Sequence, residues 1–327
     1  MAHTSEIEDI SPGKLDQVVQ DFMDAGAIDV KKTQQTDGDF SIIATFGDGV
    51  SGDKGISPGT VPVVQQPTAP SVPPRPAASS TAGIDQIVQL AAGSAILHYS
   101  WENRGVAPAG YIKGMAIVFA RVYSKLAAGD PAAIEMAKAN TGNGTKDALA
   151  WYSESFHRAG MSNDIAGADT LRHLFVLLVG LGMRESSGRY CEGRDQSASN
   201  ISSDTAEAGP FQTSYNARIA SPLMPKLFAQ YSANPSGFVD IFQEGVHVKP
   251  SDLENFGTGD GMDFQRLSKE SPAFAAEFAA VGLRNIRTHW GPINTRATEL
   301  RNECDAMFRQ VQKAVDGSNF FPAVILG

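Results

Sequence analysis

The chain has 327 residues, 42% of them hydrophobic and 19% charged, which excludes a wholly disordered protein and leaves room for two domains, or one large one with an appendage. Its formal net charge of −9 offers no electrostatic footprint for nucleic acid, although an acidic cleft can still take neutral sugars. Two cysteines set no disulfide framework: Cys191 and Cys304 are either two buried thiols or the ends of one long-loop bridge.

The first residues, MAHTSEIEDISPGK, are acidic and polar and lack the apolar core of a secretory signal. After Ser11-Pro12, Leu15, Val18, Val19 and Phe22 recur at helical spacing, and Gly26 ends the run. The stretch IDVKKTQQTDGDFSIIATF then reads as two strands around Asp37-Gly38, a dipeptide that readily takes positive φ. A helix plus a hairpin buries little surface, so residues 1–50 are expected to dock on a partner, the main domain or another copy. Residues 51–82 are rich in Pro, Ser, Ala and Thr, a composition that prefers extended conformations and cannot pack a core, so they read as a linker.

Residues 83–327 are patterned almost wholly as helix, giving a mainly α domain. Helices are expected at about 83–97, 108–128, 131–140, 145–159, 169–185, 210–219, 222–233, 235–245, 263–269, 271–288 and 292–316. Asp130-Pro131 and Ser271-Pro272 each place a capping residue before Pro at the first helical position. The region 189–206 is expected to hold a polar loop or a short hairpin. The most apolar run, Leu174 to Leu181, is too short to cross a bilayer.

The helix over 169–185 is apolar nearly all round, with Leu171, Leu174, Phe175, Leu177, Leu178 and Leu181, so it belongs at the centre of the domain. Asp169 or Thr170 can cap its start, and Gly188 can cap its end. Gly180 and Gly182 weaken it and admit a close neighbour. Glu185 then stands in the last turn, where the helix dipole and an apolar neighbourhood both disfavour its charge. A carboxyl made less acidic in this way suits a general acid near neutral pH; the competing reading is a solvated carboxylate paired with Arg184 or Arg189.

Glu185-Ser186-Ser187-Gly188, followed after a loop by Ala208-Gly209-Pro210-Phe211-Gln212 and Ser214-Tyr215-Asn216, resembles the Glu-Ser and Gly-Leu-Met-Gln motifs of soluble lytic transglycosylases and goose-type lysozymes, in the lysozyme-like superfamily. The resemblance covers these segments well and the helical domain loosely. Pro-Phe stands in place of Leu-Met, and the group's later Ala-Tyr-Asn-Ala-Gly motif is missing at its usual distance, where His289-Trp290-Gly291-Pro292 stands instead. By this resemblance Glu185 is the catalytic acid and base. Asp195 or Asp204, in an acid-rich loop that also carries Glu192 and Glu207, would position or activate water. Ser187, Gly209, Phe211 and Gln212 would line the glycan, with Gln212 bonding an N-acetyl group or Glu185 itself. Tyr190, Glu207, Tyr215, Asn216 and His289 complete the candidate substrate contacts.

Other chemistries find little support. Residues 141–146 lack P-loop spacing, the nucleophile elbow Gly-x-Ser-x-Gly is absent, residues 257–263 fit no EF-hand loop, and no histidine pair has zinc spacing, so no cofactor or metal is implied. The expectation is an enzyme that cleaves β-1,4 bonds of peptidoglycan, as a muramidase or a lytic transglycosylase. A chitinase-like hydrolase and a non-catalytic glycan-binding or structural module are the alternatives. Such an enzyme would be made in the cytoplasm and reach the wall by non-classical delivery, as an effector or phage-type protein, with residues 1–50 as the attachment to a delivery or adaptor protein.

Overall fold

A computed structural model describes residues 3–10, 15, 19, 27–34, 40–46, 80–194 and 202–317. The chain separates into two compact units, Met1–Pro73 and Pro74–Gly327.

In the first unit, β1 (His3–Ile10), β2 (Ala27–Gln34) and β3 (Phe40–Phe46) form one antiparallel sheet in the order β1-β3-β2. The hairpin expected over 27–46 is the β2–β3 pair, in a register that sets Gln34 opposite Phe40. Strand β1 was not legible, because HTSEIEDI has only two apolar residues and they do not alternate strictly. It forms because β3 offers a second row of backbone donors and acceptors, which β1 pairs with Ile7 opposite Ile42. Ile42, on the central strand, is fully buried. Leu15 and Val19 are helical. Val18, Phe22, the Asp37-Gly38 turn and residues 51–79 of the expected linker lie outside the described residues.

The second unit is mainly helical. Its helices are α1 (Ser80–Ala92), α2 (Ala109–Ala127), α3 (Pro131–Ala137), α4 (Ala148–Trp151), α5 (Ser153–Arg158) and α6 (Ala168–Ser186). They are followed by α7 (Leu223–Ala233), α8 (Val239–Phe242), α9 (Asp260–Glu270), α10 (Pro272–Asn285), α11 (Gly291–Asn294) and α12 (Asn302–Asp316). Helices α2, α6 and α10 are buried along most of their lengths, and the others surround them. Phe119 of α2 meets Phe175 of α6 and Phe308 of α12, with ring centroids 5.3 and 4.6 Å apart. Charge inside this core is paired. Lys125 Nζ lies 2.9 Å from Glu277 Oε2, and Tyr231 Oη donates to Glu277 Oε1 at 2.7 Å, tying α2, α10 and α7 together. Arg284 reaches Asp147 at 3.0 Å, and the same carboxylate accepts from Leu149 N to cap α4.

Several expected elements are drawn differently, each for a local reason. Asp130 caps α3 by accepting from Ala133 N at 2.9 Å, but Ser271 makes no capping bond to α10. Gly167 precedes α6; Asp169 pairs with Arg172, and Thr170 Oγ1 donates to Ile165 O, so neither is the cap. The helix expected over 210–219 begins only at Tyr215 and is 3-10, because residues 209–212 are taken up by a tight turn that ends with Gln212 at φ 44°. Phe238 takes φ 58°, so the helix expected over 235–245 starts only at Val239 and is the single turn α8. The expected helix 292–316 divides into α11 and α12, with Arg296 at φ 54° between them. A two-residue hairpin, β4 (Ser100–Trp101) with β5 (Gly105–Val106), interrupts the stretch read as helix and loop. The described part of 189–206 holds no strand, only a 3-10 turn over Ser203–Thr205. Cys191 and Cys304 are buried free thiols, so the bridge does not form. Among the described residues no helix is long and apolar enough to cross a membrane.

Candidate active site

Two glycines let other segments close on the last turns of α6. At Gly180 a Cβ would overlap Glu299 O and stand 2.9 Å from Thr298 Cγ2, so the 298–299 backbone lies directly on the helix. At Gly182 a Cβ would overlap the Tyr111 hydroxyl and stand 2.8 Å from its Cζ and 3.1 Å from Phe211 Cε1. Tyr111 Oη uses that space to donate to Val179 O at 3.0 Å. The close approach that the two glycines suggested is therefore made by protein on both sides.

Glu185, one turn on, is half-buried at the end of this helix. Both arginines that might have neutralised it are committed elsewhere. Arg184 donates to Ala297 O at 2.7 Å and pairs with Glu102 at 3.1 Å. Arg189 pairs with Glu192 at 2.7 Å and with Asp252. Among the described residues, no hydrogen bond or ion pair holds the Glu185 carboxyl. Its pKa is pushed up from 4.5 to about 8, first by burial and then by the negative charge of Glu207; the positive charge of Arg104 opposes both. Glu185 is therefore largely a neutral acid at pH 7, with a second carboxyl group in its field.

The helix ends in two left-handed residues, Ser187 at φ 55° and Gly188 at φ 74°. Gly188 N donates back to Gly182 O at 3.1 Å, so Gly188 shares the capping with Ser187. Ser186 is buried, and its hydroxyl lies 2.9 Å from both Gly182 O and Pro210 O. That contact joins the helix end to the segment after the acidic loop.

This segment is a tight turn. Ala208 and Thr213 face each other as an antiparallel pair, and Gln212 N donates to Gly209 O at 3.3 Å, with Pro210 second in the turn where its fixed φ fits. Gln212 itself takes φ 44°. Phe211 is buried beneath Gly182, and its carbonyl accepts from Trp290 Nε1 at 2.9 Å. Gly209 is required by packing, since its Cβ would stand 2.9 Å from Ser268 O.

The predicted site residues therefore divide. Glu207 lies near enough for its charge to act on Glu185, and the turn 208–213 is tied to the end of the same helix through Ser186 and Pro210. Gln212 does not bond Glu185: its amide donates to Gly209 O at 3.1 Å and holds its own turn. Phe211 is a core residue and Tyr190 is buried beside Cys191 and Gln243. Tyr215 Oη donates to Asp260 at 2.9 Å while Arg218 stacks on its ring at 3.8 Å, and Asn216 is an exposed partner of Ser214. Asp204 faces Arg218 at 3.8 Å, and the carboxylate whose charge reaches Glu185 is Glu207. Asp195 lies outside the described residues. His289 is half-buried against Trp290; burial pushes its pKa down, and the Gln212 backbone opposes this.

Arg104 had no sequence signal as a site residue. It arrives from the tip of the β4–β5 hairpin, and Asn103-Arg104-Gly105, a turn with φ 57° at Asn103 and 71° at Gly105, is the trace it leaves in the sequence. Elsewhere on the unit, an open cavity of about 380 Å³ between the end of α1 and the start of α12 is lined by Gly93, Ser94, Glu303 and Met307 among others, but by none of these site residues. Among the described residues no cluster of three or more His, Cys, Asp or Glu side chains could hold a metal ion. Set against family models, curated proteins and solved structures, the chain matches none.

Proposed function

We propose that the Pro74–Gly327 unit cleaves β-1,4 bonds of an amino-sugar polymer, peptidoglycan before others, with Glu185 as general acid and then base. The observation that carries this reading is the state of the Glu185 carboxyl: half-buried, without an ion pair, and raised to about 8 beside a second carboxyl group. A group in that state delivers a proton to a glycosidic oxygen at neutral pH and takes one back in the second half of the reaction. Glu207, with its charge directed at Glu185, is the group to orient or deprotonate water, and this favours hydrolysis over internal attack by the sugar's own hydroxyl.

The lysozyme-like assignment is part of this proposal. It is supported by an apolar central helix ending in Glu-Ser, and by the Ala208–Thr213 turn fastened to that helix end through Ser186 and Pro210. The first unit, a three-stranded sheet of its own, suits attachment to a delivery partner that brings the enzyme to the wall.

Mass spectrometry of peptidoglycan digested by the full chain tests the reaction. New reducing ends are expected. Anhydro ends would remove Glu207 from its water-handling role, and intact strands would remove the enzymatic reading.

A further inference from the structure

Arg104 stands at the turn between two strands of two residues each, where its backbone N–H donates to Trp101 O at 3.0 Å. So short a hairpin cannot hold itself, and its fixation comes from outside. Trp101 is buried and meets Tyr99 edge-on at 5.2 Å. Glu102 N donates to Glu299 Oε1 at 3.0 Å, and Arg184 bonds both the carbonyl and the carboxylate of Glu102, at 3.2 and 3.1 Å. Arg184 is the residue immediately before Glu185. The hairpin tip is thus fixed to the same helical turn that carries the acid.

The guanidinium on that tip is exposed and, among the described residues, has no ion pair and no hydrogen bond. Other arginines of the unit differ. Arg184 and Arg189 hold carboxylates, Arg194 lies over Phe256 and within 3.6 Å of Glu254, and Arg218 is stacked on Tyr215. Each of these has a structural task. Arg104 rides on a tethered hairpin, its charge reaches Glu185, and among the described residues it holds no partner of its own.

We infer that Arg104 is a specificity determinant, which receives a free carboxylate borne by the sugar chain next to the bond held at Glu185, so that the preferred substrate is an acidic amino-sugar strand, such as a peptidoglycan strand freed of its peptides, and not a neutral one. The inference rests on the glycan-cleaving reading above and narrows its substrate class. The planar guanidinium matches a carboxylate with two parallel N–H···O bonds, a geometry that a neutral sugar hydroxyl cannot reproduce. A neutral Glu185 helps, since it spares an incoming carboxylate one of the two nearby negative charges.

The test is equilibrium binding to the full chain carrying Glu185→Gln, which keeps position 185 neutral and holds substrate uncleaved. The probes are peptide-free peptidoglycan glycan oligosaccharides with their lactyl carboxylates intact, and the same oligosaccharides with those groups reduced to alcohols. Adding Arg104→Ala is expected to weaken binding of the acidic strands roughly tenfold and to leave the reduced strands unchanged, with Arg104→Lys recovering part of the loss. Equal weakening on both probes, or no preference for the acidic strands before Arg104 is changed, overturns the inference. A role limited to tuning Glu185 would instead shift the pH–rate profile of Arg104→Ala upward while both probes bind unaltered, and that result too overturns it. The two proposals fail separately: carboxylate preference without any cleavage by the unaltered chain removes the enzymatic reading, whereas cleavage without the preference removes only the role of Arg104.

Discussion

Glu185→Gln is expected to lose cleavage and gain stability at once. Removing a general acid costs roughly 10²–10⁴-fold in rate, and the amide can neither donate nor accept the catalytic proton. The stability gain follows from linkage. The folded chain keeps a proton on Glu185 that the unfolded chain releases above pH 4.5, so the folded state is progressively penalised as pH rises from 4.5 to about 8. Above that range the whole penalty is present, and Glu185→Gln removes it, a gain on the order of 2–4 kcal/mol for this half-buried group. Below pH 4.5 the two proteins are expected to unfold alike. Denaturant melts at pH 4 and pH 9, with digestion of peptidoglycan alongside, check both halves. A stability difference of the same size at both pH values would mean that the side chain acts through packing and not through its charge.

Gly182→Ala is the second large effect. The added methyl meets the Tyr111 hydroxyl and, at 3.1 Å, the ring of Phe211, both in the closed core. Overpacking of this kind costs roughly 1–3 kcal/mol, more than the gain of about 1 kcal/mol from replacing Gly by Ala in a helix. Tyr111 and Phe211 are themselves buried, so part of the strain falls on the last turn of α6, and that turn carries Glu185. A displacement of about 1 Å can cost on the order of 10²-fold in rate. Tyr111→Phe in the same chain removes the hydroxyl but leaves Cζ at 2.8 Å, so partial recovery of both stability and activity is expected. Full activity in Gly182→Ala alone would show that the helix end is not held by this contact.

How much of this was legible differs by residue. The apolar spacing of Leu171 to Leu181 announced a central helix, and the helix is central because those residues leave it no solvent face. Glu185 was legible for the same reason, as the first carboxylate after that run. Gly180 and Gly182 announced close packing but not its partners, since Tyr111 and Glu299 come from far along the chain in opposite directions. The choice of second carboxylate was not legible. Glu192, Asp195, Asp204 and Glu207 share one polar stretch, and their order along the chain carries no information about which is brought back to the helix. The return is made by the Ala208–Thr213 pairing and the Ser186 bond to Pro210, and these place Glu207 rather than Asp204 in the field of Glu185. Arg104 was hidden because two-residue strands give no periodicity to read, and the hairpin is held by one ion pair and hydrogen bonds with distant residues. Phe211, Tyr215 and Gln212 are buried, and each fills or ties the scaffold around the turn.

The most direct measurement is titration of the Glu185 side-chain carboxyl carbon by NMR in the full chain, with Glu207→Gln as the comparison. A midpoint near 8 is expected, moving downward when the Glu207 charge is removed. A midpoint near 4.5 that ignores Glu207→Gln would contradict the description of Glu185 as a buried neutral acid, and with it the proton transfer assigned to this site.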